Sequence, residues 1–235
     1  MKDLRIAVFA DGANLKDMLK EYYFGTARGF TTNPTLMAKA GIKDYETFAR
    51  EVLAAIPDLP ISFEVIADDM ENMERQARII SSWGYNVYVK IPVMTTTRVS
   101  TVPLIRKLTA EHIKLNVTAL MTLEQVIEVR DAVESRTPTI ISVFAGRIAD
   151  TGRDPIPVME DAVFECKDRP ELMILWASPR EVLNIYQADA AGCHIITATP
   201  DLLAKLPLWE KDMNDFSRET VQMFFDDANR AGFSL

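Results

Sequence analysis

Lys90 stands within Val87-Tyr88-Val89-Lys90-Ile91-Pro92, a run of β-branched and aromatic residues that reads as a buried parallel strand. A lysine in such a place is costly, because burial disfavours an ammonium ion. The same cost serves an enzyme that needs a neutral amine near pH 7 to attack a carbonyl and form a Schiff base. Taken alone, the segment equally fits a strand-end lysine that snorkels to solvent before Pro92. Its companions bear on the choice. Side chains two apart on a strand share a face, and Val87, Val89 and Ile91 form the apolar set here, leaving Tyr88 and Lys90 opposite. The same division sets Phe63 and Val65 against Ser62 and Glu64, and Ile141 and Val143 against Ser142 and Phe144. It also sets Leu115, Val117 and Ala119 against Asn116 and Thr118. Asp11 and Asn33 stand at the ends of their own apolar runs. A lysine, two carboxylates, two asparagines and hydroxyls from separate strands, turned to one place, make a site for carbonyl chemistry. The plainer alternative is a buried polar network that satisfies itself.

Convergence requires an architecture that points these strands at one another. Short apolar runs recur at 6–10, 29–33, 61–66, 86–92, 114–120, 139–145, 172–177 and 194–199, each with strand character. Between them lie stretches of helical period. Phe48, Val52 and Ile56 recur at intervals of four, as do Met73 and Ala77. Thr122, with Glu124 and Gln125 behind it, opens a helix carrying Val126, Ile127 and Val133. Eight strand–helix repeats predict a parallel (β/α)8 barrel, with its chemistry at the C-terminal mouth of the strands. No Gly-rich dinucleotide loop follows the first strand, which weighs against an open nucleotide-binding sheet. No linker divides residues 1–235, so one barrel domain is expected. An extra amphipathic helix is expected at about 212–231, capping the barrel or reaching a neighbouring subunit.

Composition narrows the function classes. The chain has 48% hydrophobic and 26% charged residues, and 34 acidic against 26 basic residues give a formal charge of -8. That balance argues against nucleic acid as a partner, while leaving room for a phosphorylated small molecule held by a few local arginines. The apolar stretch before Asp11 is too short for a signal peptide core, and nothing later approaches a membrane span. Cys166 and Cys193 show no metal or redox spacing, so a reducing cytoplasm is the expected location. His112 and His194 are expected to be structural or at the surface. Trp176 fits either the mouth or ordinary barrel packing.

Five segments together resemble the transaldolase family, including its short members and the fructose-6-phosphate aldolases. They are Phe9-Ala10-Asp11-Gly12-Ala13-Asn14, Gly29-Phe30-Thr31-Thr32-Asn33-Pro34, Val89-Lys90-Ile91-Pro92, Leu115-Asn116-Val117-Thr118 and Phe144-Ala145-Gly146-Arg147. They keep the family's order and spacing over nearly the whole chain. The resemblance implies a class I aldolase-type barrel with its Schiff-base lysine, Lys90, on the fourth strand, and neither metal nor cofactor. It implies that Asp11 moves the proton of the hydroxyl whose carbon–carbon bond breaks. Glu64 and Thr118, holding a water, would relay protons, and Asn33, Asn116 and Ser142 would hold the hydroxyls of a dihydroxyacetone unit. Sugar phosphates would be the partners, with sedoheptulose 7-phosphate and fructose 6-phosphate as donors. A homo-oligomer (dimer, pentamer or decamer) is implied as well.

Within the family, Glu64 and Phe144 resemble the transaldolases; the aldolases carry Gln and Tyr there. Arg147 matches the phosphate-binding arginine, and a planar guanidinium suits that task. Ser178 matches the phosphate-contacting serine, but the loop after it departs. The family has a hydrophobic residue, a basic residue and one more before Pro-Arg, whereas Ala177-Ser178 here runs straight into Pro179-Arg180. Whether Arg180 replaces the missing basic residue is left open by the sequence. Gly12 also stands where threonine is usual. A ketose ending in a sulfonate, or a deoxy sugar, is therefore a second candidate substrate. An aldolase that releases free dihydroxyacetone, and a silent barrel kept for binding, are the competing functions.

Overall fold

In the computed structural model, which describes residues 4–134 and 136–233, eight parallel strands close into a barrel in sequence order. They are β1 (Ala7–Asp11), β2 (Phe30–Thr31), β3 (Ile61–Glu64), β4 (Val87–Pro92), β5 (Leu115–Leu120), β6 (Thr139–Val143), β7 (Leu172–Trp176) and β8 (Ile195–Ala198). Helices α1 (Leu15–Tyr23), α2 (Pro34–Lys39), α3 (Tyr45–Ala55), α4 (Met70–Ser81) and α5 (Val102–Ala110) follow the first four strands. Then come α6 (Leu123–Ala132), α7 (Ala145–Asp150), α8 (Ile156–Cys166), α9 (Leu183–Ala190) and α10 (Pro200–Leu203). This is the (β/α)8 barrel expected from the repeat of strand and helix signals. Residues 1–3, 135, 234 and 235, which the expected 1–235 domain includes, lie outside the described residues.

Local chemistry sets the helix starts. Asp44, Asp69 and Thr122 accept hydrogen bonds from Thr47, Asn72 and Gln125 backbone N–H groups, and Thr122 with Gln125 completes a capping box. Such caps satisfy backbone donors that have no partner inside the helix. The buried faces are those the periodicity picks out: Phe48 and Val52 on α3, and Met73, Ala77 and Ile80 on α4. Outward strand residues such as Phe63, Val89 and Ile91 are fully buried beneath helices, each contributing about 1.5–3 kcal/mol of burial. Inward residues Phe9, Tyr88, Ile140, Leu175 and Ile195 fill the barrel interior.

Three details depart from the sequence expectation. The strand expected over 29–33 is only two residues long, because Asn33 caps α2 and Pro34 occupies its first turn. The strand expected over 139–145 ends at Val143, since α7 begins at Ala145. On β5 the register against β6 shifts between Val117 and Leu120, with Ala119 in the left-handed region at φ 65°. This bulge re-aims the chain, and Ala119, expected on the outward face, lines the mouth instead.

The chain divides into two compact units, Met1–Leu203 and Ala204–Leu235. The barrel is the first. The second consists of a 3-10 turn at Leu206–Leu208 and the helix α11 (Met213–Ala231), which Asp212 caps and Gly232, at φ 71°, ends. Among the described residues no helix is long and apolar enough to cross a membrane.

Candidate active site

The C-terminal mouth of the barrel opens on a cavity of about 450 Å³. Lys90 on β4 and Glu64 on β3 are register partners, and this neighbourhood decides the lysine's environment. Its side chain is only 9% exposed, with Nζ 3.2 Å from Glu64 Oε2 and donating to the Thr32 carbonyl at 3.2 Å. It does not snorkel away from the barrel. Thr118, on the next strand, points a buried hydroxyl into the same mouth, and that oxygen has no hydrogen-bond partner. A buried hydroxyl of this kind needs a partner such as water or substrate. Behind Glu64, the Tyr45 hydroxyl donates to the Glu64 carbonyl at 2.9 Å. Its ring packs edge-on against Phe63 and Trp83. Burial raises the Tyr45 phenol above its usual range, so it remains a donor and pins the backbone beneath the carboxylate.

Asp11 ends β1 on the far side of the cavity. Thr31 Oγ1 donates to its Oδ1 at 2.7 Å and lies 2.6 Å from Thr197 Oγ1. Asn33 Nδ2 donates to its Oδ2 at 3.3 Å, while Asn33 Oδ1 accepts from Leu36 N–H at 2.9 Å to cap α2. Burial raises the Asp11 carboxyl above the ordinary range, against the pull of Lys90, Thr31 and Asn33. A carboxylate raised in this way is a better proton acceptor. The sequence reading missed Thr31 and Thr197. Their inward parity was legible, two residues before Asn33 and two after Ile195, but threonine in a strand also passes for ordinary β-branched packing. Replacing Thr31 with Val should raise the Asp11 carboxyl further, since it removes a hydrogen bond to the charged form. Where Asp11 serves as the base, the acid limb of the pH–rate profile should move to higher pH. An unmoved limb would show that Asp11 does not govern it.

Asn116 and Ser142 are joined differently. Ser142 Oγ donates to Asn116 Oδ1 at 2.7 Å, and Asn116 Nδ2 donates to Ser62 Oγ at 3.0 Å. Ser142 borders the cavity, whereas Asn116 is fully buried and is not among its lining residues. The remaining expected residues, Phe144, Arg147, Ser178 and Arg180, line the distal side. Gly146 at the start of α7 lies so close to the next strand's end that a Cβ there would be 1.6 Å from the Ser178 carbonyl oxygen. Ser178 itself has φ 61°. Arg180 is not free: Nε donates to Asp150 Oδ1 at 3.0 Å and Nη2 pairs with Oδ2.

Residues outside the mouth have quieter roles. His194 Nδ1 accepts the Ile174 backbone N–H at 3.0 Å, and neither histidine lines the cavity. Trp176 is buried and is likewise absent from its walls. Cys166 and Cys193 are buried free thiols, pushed by burial up to about 11 and about 12. Among the described residues no three His, Cys, Asp or Glu side chains gather in a metal-holding group.

Residues 8–235 match the model of the transaldolase/fructose-6-phosphate aldolase family. The chain belongs to that family. A protein of Dehalococcoides mccartyi described as a probable transaldolase is 33% identical over 200 residues, covering 85% of this chain and 89% of its own. One from Thermoanaerobacter sp., also described as a probable transaldolase, is 33% identical over 229 residues, covering 97% and 99%. Among solved structures, dihydrodipicolinate synthase from Rhodopseudomonas palustris superposes with a TM-score of 0.58 at 15% identity, covering 96% of this chain and 82% of its own. At that identity the likeness speaks for the barrel fold alone.

Proposed function

We propose that the chain is a transaldolase that moves a dihydroxyacetone unit from a ketose with an anionic far end to an acceptor aldose. The observation that carries this reading is the Lys90 ammonium held 3.2 Å from the Glu64 carboxylate, in the same cavity as Asp11. Once it has given up a proton, Lys90 Nζ adds to the ketose carbonyl. Glu64 and Thr118 pass protons so that the carbinolamine loses water and becomes an iminium. Asp11 takes the proton of the hydroxyl on the carbon beyond the bond that breaks. The bond's electron pair flows into the iminium as an enamine, and the aldose leaves. An acceptor aldehyde then re-forms the bond by the same steps reversed, with Asp11 returning the proton. Asn33 and Ser142 hold hydroxyls of the three-carbon unit, and Asn116 orients Ser142 from behind. No metal or cofactor enters these steps.

Transfer is favoured over release by the pair Glu64 and Phe144. Phe144 packs against the interior apolar cluster and brings no hydroxyl to the mouth. With no tyrosine among the cavity's lining residues, the enamine lacks a phenol at the mouth to protonate it and waits for an aldehyde. Free dihydroxyacetone should form slowly from fructose 6-phosphate alone, while product aldose and new ketose appear rapidly once an acceptor aldose is added. Equal dihydroxyacetone release with and without acceptor would make the protein a lyase and sink the transferase reading.

A further inference from the structure

Two arginines face the distal end of the cavity, Arg147 from α7 and Arg180 from the loop after β7. Arg147 lies with its guanidinium carbon 5.8 Å from the centre of the Phe144 ring. Arg180 lies in a two-point pair with Asp150, and its backbone N–H is tied to Asn184 Oδ1 at 2.7 Å. Asp150 sits one helical turn beyond Arg147 on the same helix, and both arginines pull its carboxyl below the ordinary range, Arg180 more strongly. The distal wall thus carries two positive charges, and a carboxylate just outside that wall is paired with one of them. A phosphate monoester brings about −1.5 to −2 charges at pH 7. To use both guanidinium forks it must share Arg180 with a carboxylate that repels it.

We propose that Asp150 is a specificity-determining residue, whose pairing with Arg180 makes the distal mouth favour a terminal group with one negative charge over a phosphate dianion. The proposal rests on the transaldolase reading for the sugar part of the ligand. A sulfonate has the tetrahedral shape of a phosphate with a single charge, and it matches the net charge of Arg147, Arg180 and Asp150 together. Arg180 follows directly after Ser178-Pro179 in the sequence, at the cavity wall beside Ser178. The Asp150–Arg180 pair is about half exposed, so its influence is moderate and sensitive to salt.

The test compares dissociation constants of fructose 6-phosphate, its 6-deoxy-6-sulfonate counterpart and fructose for the wild type and for Asp150→Asn. Calorimetric binding reads the distal mouth whether or not Lys90 reacts, and borohydride trapping on Lys90 reads the Schiff base separately. The wild type should prefer the sulfonate, by a margin that narrows from pH 7.5 to pH 5.5 as the phosphate loses its second charge. Asp150→Asn should tighten the phosphate by about two- to five-fold relative to fructose, and the sulfonate by less. The gain should shrink in 0.5 M salt and vanish when Arg180→Gln is added. If all three ligands shift by the same factor, or none shifts, Asp150 only ties the loop and the proposal is wrong. Loss of trapping in the wild type would instead overturn the transaldolase reading, leaving the charge preference to be read from the isotherms.

Discussion

Lys90→Ala is expected to yield a folded protein in which no ketose can be trapped by borohydride and transfer falls by about 10⁴-fold or more. The size follows from the non-additive loss seen when a covalent nucleophile is removed: the remaining groups can bind the sugar but cannot form the iminium that accepts the electron pair. The structural cost is separate and smaller. Removing the ammonium leaves the Glu64 carboxylate, with its side chain 18% exposed, beside an apolar gap. Losing one partner of a buried pair costs about 3–5 kcal/mol when the other stays charged and dry. Glu64 faces the mouth and can be hydrated, so the lower end of that range applies. Lys90→Met should lose all the activity with less loss of stability, because the stem's packing is kept. Glu64→Gln in the same background should restore stability without restoring any adduct. Intact-mass analysis after borohydride, beside thermal melts of each variant, separates the two effects. An adduct that persists in Lys90→Ala would move the nucleophile elsewhere and with it the whole mechanism.

That Glu64 and Lys90 share the inner face was legible in the sequence, since alternation on β3 and β4 leaves only one face for each; that they stand side by side as register partners was not. The barrel was legible too, because β-branched strands and capped helices alternate with the spacing a parallel sheet requires. What the sequence hides are the points where backbone geometry overrides alternation. Nothing in Thr118-Ala119-Leu120 announces a bulge; alanine has no special liking for positive φ, and tertiary pairing with β6 imposes it. Asn33 looked like a strand residue because asparagine can end a strand as readily as it caps a helix. Only the Leu36 N–H contact reveals the second role, which also aims its amide at Asp11. The pairing of Asp150 with Arg180 joins residues 30 apart, beyond any local pattern. In the sequence, the shortened loop marked this end as unusual without naming the carboxylate responsible. Asn116 shows the converse limit. Parity assigned its inward face correctly, but alternation says nothing of depth, and the residue lies behind Ser142 rather than at the cavity wall.

Gly146→Ala should produce the second large effect, and it should divide the site in two. A methyl group at this position would lie 1.6 Å from the Ser178 carbonyl oxygen and 2.7 Å from its carbonyl carbon. The obstacle is backbone, so no side-chain rotation relieves it. Either α7 retreats from β7 or the Ser178 loop lifts away, and both break the Gly146 N–H bond to the Ala177 carbonyl at 3.3 Å. Overpacking of this kind costs about 1–3 kcal/mol, and more where backbone must move. At about 3 kcal/mol the melting temperature of a chain this size falls by roughly 6–12 °C. Ser178 already holds a left-handed conformation at φ 61°, a position costly for a residue with a Cβ, so the loop has little reason to hold its place under pressure. The displaced parts carry Arg147, Ser178 and Arg180, whereas Lys90, Glu64, Thr118 and Asp11 stand on other strands. Binding of ketoses with an anionic far end should therefore weaken more than tenfold. Trapping of dihydroxyacetone itself, which reaches only the near half of the cavity, should persist below the new melting temperature. Equal loss for both ligands would mean that the barrel, and not the distal mouth, had yielded. An unchanged melt and unchanged affinity would mean that Gly146 and Ser178 are not in the close contact on which the shape of this end depends.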